Sequence, residues 1–177
     1  MTEVHRCDTI TELLNRTVKQ KWKGIFKKQN SFPKRGNSVP EMMMKERQMT
    51  IEERAEQAVA LKNRAGYNCA QAVAAVLADQ TGLTEEQLYS ITSGFGLGMG
   101  TMQATCGALV GAGVAAGLKM KGMGTVSCTK QILTEFKSMC GAVTCGDLKS
   151  KTDGKVLCSC DDCVRNAVKA YGKVMGL

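Results

Sequence analysis

The sequence predicts an all-α protein, a compact bundle of five to six helices with cysteines at the helix N-termini. From Met49 onward the apolar residues recur with the period of an α-helix. The same part of the sequence contains no convincing strand pattern. Five cysteines also follow residue types that cap helices, in the pairs Asn68-Cys69, Thr105-Cys106, Ser127-Cys128, Thr144-Cys145 and Ser159-Cys160.

Charge divides the 177 residues into two parts. Residues 1–47 hold eleven Lys or Arg against five acidic residues, whereas residues 48–177 hold thirteen against eleven. We therefore expect residues 1–47 to be a basic, disordered extension and residues 48–177 to form one helical, cysteine-rich domain. The alternative for the first part is a basic amphipathic arm around Trp22 and Phe26, directed to a membrane or to nucleic acid.

The first half of the domain predicts three helices in succession. Residues 50–66 begin with Thr and Glu at capping-box spacing and end on a glycine. Residues 68–80 follow an asparagine cap and are rich in Ala and Val. Residues 84–94 start with Thr and Gln at a second capping-box spacing, which predicts a short helix.

A glycine-rich segment, GFGLGMG, comes next. It lacks the sequence context of a dinucleotide fingerprint or a P-loop, so we expect a tight connection that brings the backbone close to Cys106. The following run CGALVGAGVAAGLKM predicts a helix whose glycines, spaced four apart, let another helix approach closely. Residues 91–118 carry no charge, but their eight glycines favour a buried helix over a membrane span.

The C-terminal part predicts two long helices separated by a short one. Residues 125–140 place apolar side chains on one face and stop at Gly141. Residues 144–150 begin with Thr144 and Asp147 at capping-box-like spacing. A turn-rich linker, KSKTDGKV, then leads to a last helix that starts at Ser159.

The cysteine positions predict sulfur chemistry. Free N–H groups and the positive end of the helix macrodipole stabilise a thiolate in the first turn, which makes cysteine reactive or metal-binding. Cys128 is the least secure case, because Thr125 and Thr129 compete as caps. The charged N-terminus without an apolar region indicates a cytoplasmic, reducing location, where clustered cysteines are rarely structural disulfides.

Metal chemistry, if present, would rest on thiolates, because His5 is the only histidine. Zinc, an iron–sulfur cluster or copper(I) are then the candidates. Near the C-terminus three cysteines, Cys158, Cys160 and Cys163, lie within six residues. The neighbouring Asp161 and Asp162 oppose the helix dipole by raising thiol pKa values, so the thiolate can be favoured or disfavoured there. Cys140 and Cys145 form a further pair, in which Cys140 can equally be a core residue.

Five sequence elements occur in order: NCAQAV after Gly-Tyr, the glycine-rich stretch, CGALVG, a Phe ahead of a Cys and Leu, and a last Cys with Val and Ala. Together they resemble the C-GCAxxG-C-C family, whose members are considered redox-active largely because of four cysteines. The resemblance covers about residues 50–175. Carried over by position, it implies Cys69, Cys106, Cys145 and Cys160 as site residues, with Cys163 as an alternative to the last.

Two functions follow as hypotheses. The leading one is a redox protein in which Cys69, Cys106, Cys145 and Cys160 converge and act by thiol–disulfide exchange or hold an iron–sulfur or other metal centre. We expect Cys106 to be central, because Gly107 leaves it accessible. The alternative is a non-catalytic zinc or copper module on the same thiolates and Cys163.

The partners expected from the sequence are a redox partner or a transporter, since the resemblance implies an association with transporter genes. No nucleic acid is expected, because the sequence lacks an aromatic-plus-basic constellation. The small-residue faces permit a homodimer as well as internal packing.

Overall fold

The structure, a computed structural model, describes residues 49–152 and 154–177. The expectations for residues 1–47 fall outside these residues. The helices of the described part are Ile51–Arg64 (α1), Cys69–Val76 (α2), Glu85–Thr92 (α3), Gly107–Lys119 (α4), Thr125–Cys140 (α5), Cys145–Lys149 (α6) and Cys160–Met175 (α7). Two 3-10 turns, Ala78–Gln80 and Ser93–Phe95, and a glycine-rich turn, Gly96–Met99, join them.

The all-α prediction is confirmed, but the described residues form seven helices and not five to six. Each of the seven coincides with a segment that the sequence predicts as helical, so the total of five to six was too low for the segments themselves. The linker after α6 also contains two antiparallel strands, Lys151–Thr152 (β1) and Lys155–Val156 (β2). Strands of two residues are too short to show an alternating pattern, so the sequence did not predict them.

Side-chain caps fix several of the helix starts. Thr50 and Thr84 complete capping boxes, which confirms both predictions. Asn68 accepts hydrogen bonds from two backbone N–H groups of α2 and completes a third box. Thr144 makes no side-chain cap hydrogen bond, so its spacing to Asp147 does not produce a capping box.

The prediction that Ser127 caps a helix before Cys128 is wrong. α5 begins one turn earlier, because Gly124 is its N-cap and adopts a left-handed φ of 69°. Cys128 therefore lies inside α5, and its thiol donates to Met175 Sδ at 3.6 Å. It takes no part in the cysteine groups described below.

Helix α2 lies at the centre of the bundle, with α1, α3 and α4 packed around it. All its residues after Cys69 are buried. α4 approaches it closely because Gly111 has no side chain. A Cβ at this position would collide with the backbone of Ala70. On the other side of α4, Gly113 lies against Thr129 of α5. The glycine spacing of α4 thus lets α2 and α5 approach it closely. Within the described residues, no helix is both long and apolar enough to cross a membrane.

Candidate thiol site

The starts of four helices position four cysteines. Cys69, Cys145 and Cys160 are the first residues of α2, α6 and α7. The Cys160 start is fixed by the hydroxyl of Ser159, which accepts a hydrogen bond from a backbone N–H of α7 at 3.0 Å. Cys106 lies one position earlier in its helix, because it is itself the N-cap residue of α4.

These four cysteines and Cys163 line one cavity of about 260 Å³. We call them the cavity cysteines. Cys160 is exposed and Cys69 is half-buried, whereas the other three are buried. The structure therefore brings together every cysteine that the sequence singled out as a site residue. The expectation that Gly107 leaves Cys106 accessible is wrong, because Cys106 is only 3% exposed.

Gly107 has a different role, which is to make room for a sulfur atom. A Cβ at this position would lie 2.6 Å from Cys69 Sγ and would collide with the carbonyl oxygen of Phe95. Gly98 similarly leaves space for Cys145, whose Cβ would be 2.7 Å from an added Cβ. Side-chain-free positions thus let the glycine-rich turn and the start of α4 close around the cavity.

A short backbone bridge holds Cys106 beside Cys145. Thr105 pairs antiparallel with Thr144. The N–H of Cys106 donates to the carbonyl of Val143 at 2.8 Å, and the N–H of Cys145 donates to the carbonyl of Ala104 at 2.9 Å. Two helix starts that lie far apart in the sequence are therefore fixed to each other by main-chain hydrogen bonds.

A second group of cysteines lies deeper in the protein. The Sγ atoms of Cys140, Cys158 and Cys163 are all within 4.8 Å of one another, and all three residues are buried. We call this group the buried triad. Asn166 Nδ2 donates to Cys140 Sγ at 3.2 Å. Cys163 belongs to both groups, so the cavity and the buried triad share a sulfur atom.

The charges around these groups come mainly from lysine. Lys149 Nζ donates to Cys163 Sγ at 3.5 Å and to the carbonyl of Cys158 at 2.6 Å. Burial opposes the charge of Lys149, but its interactions with the Cys163 and Cys160 sulfurs prevail, so the pKa of Lys149 is raised. Lys149 is therefore a cation held against the sulfurs.

The two aspartates beside Cys160 are paired with cations of their own. Asp161 accepts from Lys62 Nζ at 2.8 Å, and Asp162 accepts from Arg165 Nη1 at 2.7 Å. The Lys62 ammonium lowers the pKa of Asp161. Lys62 and Arg165 therefore offset the negative charge of the two aspartates, which by itself would oppose the effect of the α7 dipole on Cys160.

The thiol pKa values run against the expectation of stable thiolates at helix starts. The neighbouring Cys106 thiol and then burial raise the pKa of Cys69. The Cys163 thiol raises the pKa of Cys106 to about 12, and burial raises the pKa of Cys145. Hydrogen bonding between neighbouring thiols and loss of water thus outweigh the helix N-terminus at these three positions.

Two cysteines of the buried triad, Cys158 and Cys163, also favour the protonated form. Burial raises the pKa of Cys158 to about 11. At Cys163 the Cys106 thiol acts to lower the pKa, but the Cys140 thiol and burial prevail and raise it to about 11. All eight cysteines of the described residues are free, so neither group holds a disulfide.

A family profile described as "Putative redox-active protein (C_GCAxxG_C_C)" matches residues 67–174. The chain belongs to this family. The C_GCAxxG_C_C match includes every cysteine of the cavity and of the buried triad. No curated protein and no solved structure matches the chain.

From the sequence, Cys140, Cys158 and Cys163 are additional cysteines that could enlarge the site. Sequence reasoning did not predict that they form a group of their own, and it missed Lys149. Cys140 is the last residue of α5 and Cys158 lies in the linker, so neither follows a helix cap. The close spacing of Cys158 and Cys163 was a usable signal, but nothing in the sequence indicates that the end of α5 reaches them. Lys149 belongs to no motif and gave no signal.

Proposed function

We propose that the chain is a thiol–disulfide redox protein in which Cys160 attacks a disulfide substrate and Cys163 resolves the product. The observation that carries the proposal is the exposed Cys160 at the rim of a cavity lined by four further cysteines. Cys163 follows three residues later in the same helix, and residues at this spacing lie on one face. An accessible thiol followed by a protected one supports this order of steps.

Lys149 supports the reaction electrostatically. Its ammonium group contacts Cys163 Sγ and lines the same cavity as Cys160. A cation beside a sulfur stabilises the thiolate, which is the reactive form of cysteine. The first turn of α7 adds unpaired N–H groups near Cys160.

The exchange proceeds in two displacements. The Cys160 thiolate attacks one sulfur of the substrate disulfide, and the other sulfur leaves as a thiolate that takes up a proton. The Cys163 thiol then loses a proton and attacks Cys160 Sγ, which forms the Cys160–Cys163 disulfide and releases the second substrate thiol. The substrate disulfide gains two electrons and two protons, and the protein dithiol loses them.

Cys69, Cys106 and Cys145 complete the reactive set in this proposal. Their raised pKa values keep them protonated around neutral pH. Cys106 adjoins both Cys69 and Cys163, so its thiol can stabilise a neighbouring sulfur by donating a hydrogen bond. The substrate would be a disulfide-bearing redox partner in a reducing, cytoplasmic setting.

A cysteine-ligated metal centre in the same cavity is the second candidate function. It is supported by the donor set, because five thiols line the cavity without a histidine or a carboxylate among its lining residues. Such donors suit zinc, copper(I) or an iron–sulfur cluster. Lys62 and Lys149, which also line the cavity, would offset part of the thiolate charge.

One preparation separates the two functions. The full chain is purified without oxygen, its UV–visible spectrum is recorded, and iron and zinc are quantified in the same sample. A colourless, metal-free protein with free thiols supports thiol–disulfide exchange. Stoichiometric iron with charge-transfer bands, or stoichiometric zinc, would instead establish the metal centre.

The roles of the two cysteines are tested by trapping. With oxidised glutathione as the probe, Cys163→Ser should accumulate a mixed disulfide at Cys160 that mass spectrometry detects, because the resolving thiol is missing. Cys160→Ser should form none, and Cys128→Ser should behave as the wild type, since Cys128 lies outside the cavity. Mixed-disulfide formation in Cys160→Ser at the wild-type rate would refute the assignment.

A further inference from the structure

We propose that the buried triad is a binding site for a single copper(I) ion, distinct from the cavity centre, with which it shares Cys163. Its ligands would be the thiolates of Cys140, Cys158 and Cys163. Their sulfur atoms lie within 4.8 Å of one another. They come from the end of α5, the linker and the first turns of α7, so three segments must meet to form the group.

The donor set selects the metal. Thiolates are soft ligands, and soft ligands favour copper(I), zinc and iron–sulfur clusters among the metals of proteins. Structural zinc is almost always four-coordinate. The group formed within the described residues has three ligands, and none is more than 7% exposed, so water has little access as a fourth. Three thiolates without a fourth donor fit a copper(I) ion.

Two side chains support the ligands from outside. Asn166 Nδ2 donates to Cys140 Sγ at 3.2 Å, which fixes the direction of that sulfur. Lys149 Nζ donates to Cys163 Sγ at 3.5 Å. Three thiolates with one monovalent cation carry a net negative charge, and the positive charge of Lys149 offsets part of it. Hydrogen bonds of this kind orient ligands and tune metal affinity.

Binding is an exchange of protons for metal. Three thiols release three protons and bind one copper(I) ion, and neither sulfur nor copper changes its oxidation state. Because the thiolate and not the thiol binds the metal, copper affinity should increase as the pH rises. Loading would also occupy Cys163, the resolving thiol of the proposed exchange reaction.

The proposal does not depend on the exchange reaction, since Cys140 and Cys158 are outside the cavity lining. It is tested by titrating the full, reduced chain with copper(I) without oxygen, in competition with the chromophoric chelator bathocuproine disulfonate. The wild type should bind one ion in this site. Cys140→Ser should weaken its binding at least about tenfold, as expected for loss of a ligand, and Cys128→Ser should not change it.

A variant with Cys69, Cys145 and Cys160 all changed to Ser separates the two centres. It should keep the site, because those residues are outside the triad. Unchanged copper affinity in Cys140→Ser, or loss of all tight binding in the triple variant, would overturn the proposal. Failure of the trapping experiment above would leave this result unaffected.

Two further measurements cover a variant that does not fold. Cys158→Ala removes a ligand from another segment, and circular dichroism reports whether either variant keeps its helices. If both unfold, native wild-type protein is alkylated with iodoacetamide with and without copper(I), and the modified peptides are mapped. Slower modification of Cys140 and Cys158 supports the site, whereas protection confined to Cys69, Cys145 and Cys160 refutes it.

Discussion

The cavity and the buried triad are two groups of cysteines that share Cys163 but differ in access and construction. Four of the cavity cysteines lie at helix starts, and Cys160 is open to solvent. The triad uses the end of α5 and a linker residue, Cys140 and Cys158, and all its members are buried. The same type of side chain therefore reaches solvent at one position of the cavity and is enclosed at all three positions of the triad.

Burial and neighbouring thiols affect the thiol pKa values more than the helix N-terminus does. Cys69 starts a capped helix, and yet its pKa is raised because the Cys106 thiol and burial act on it. A helix start supplies donors, but it does not supply water. Reactivity in this fold should therefore follow exposure, which singles out Cys160.

The largest expected effect comes from Gly107→Ala. The added methyl group would meet Cys69 Sγ at 2.6 Å and the backbone at Phe95, so the start of α4 must shift away from the cavity. We expect a loss of about 2 kcal/mol in the free energy of unfolding, a value typical of overpacking. Chemical denaturation measures it, and the reaction rate of the cavity thiols with Ellman's reagent should change as well.

Gly113→Ala is the matched control in the same helix. Its Cβ would lie 3.6 Å from Thr129, an ordinary contact, so it should keep or raise stability by roughly 0.5–1 kcal/mol through helix propensity. If both variants lose stability equally, the crowding at Gly107 is not what shapes the cavity.

Lys149→Met should have an intermediate effect on the cavity thiols. The substitution keeps much of the side-chain length but removes the ammonium that contacts Cys163 Sγ. Reaction with oxidised glutathione should slow by about tenfold, corresponding to about 1.4 kcal/mol in the activation free energy. Lys151→Met, at an exposed position, is the control. Equal rates in the two variants would remove Lys149 from the mechanism.

The smallest expected effect is a pH dependence that belongs to the triad. Burial raises the pKa of Cys158 from 9.0 to about 11 in the folded protein. Its contribution to stability is therefore fully present below pH 9 and is lost as the pH rises through 11. Between pH 8 and 10 the wild type should lose on the order of 1 kcal/mol more stability than Cys158→Ala, as urea denaturation at each pH would show.

Val164→Ala is the control for this measurement. It removes buried apolar volume from α7 but no titrating group. It should lower stability at every pH and keep the wild-type slope. If stability falls with pH equally in Cys158→Ala and in the wild type, Cys158 has the same pKa in the folded and the unfolded protein.

Much of the fold was predictable from the sequence because it rests on local signals. Thr50 and Thr84 cap helices through residues three positions away, so short sequence windows reveal them. The exposure of Cys106 and the grouping of Cys140 with Cys158 depend instead on packing between distant segments. Gly107 shows the limit: the sequence reveals a missing side chain, but only the fold shows that Cys69 fills the space.

Because Thr105 pairs with Thr144, the side chains that face the cavity depend on how many residues separate each cysteine from its threonine. Side chains alternate between the two faces of an extended backbone. Cys106 and Cys145, each one step from the pair, therefore share a face, whereas Thr105 lines a separate groove against α5. Replacing either threonine by valine leaves Cys106 and Cys145 on the same face. Inserting one residue between Thr105 and Cys106 would instead turn the Cys106 thiol to the opposite face.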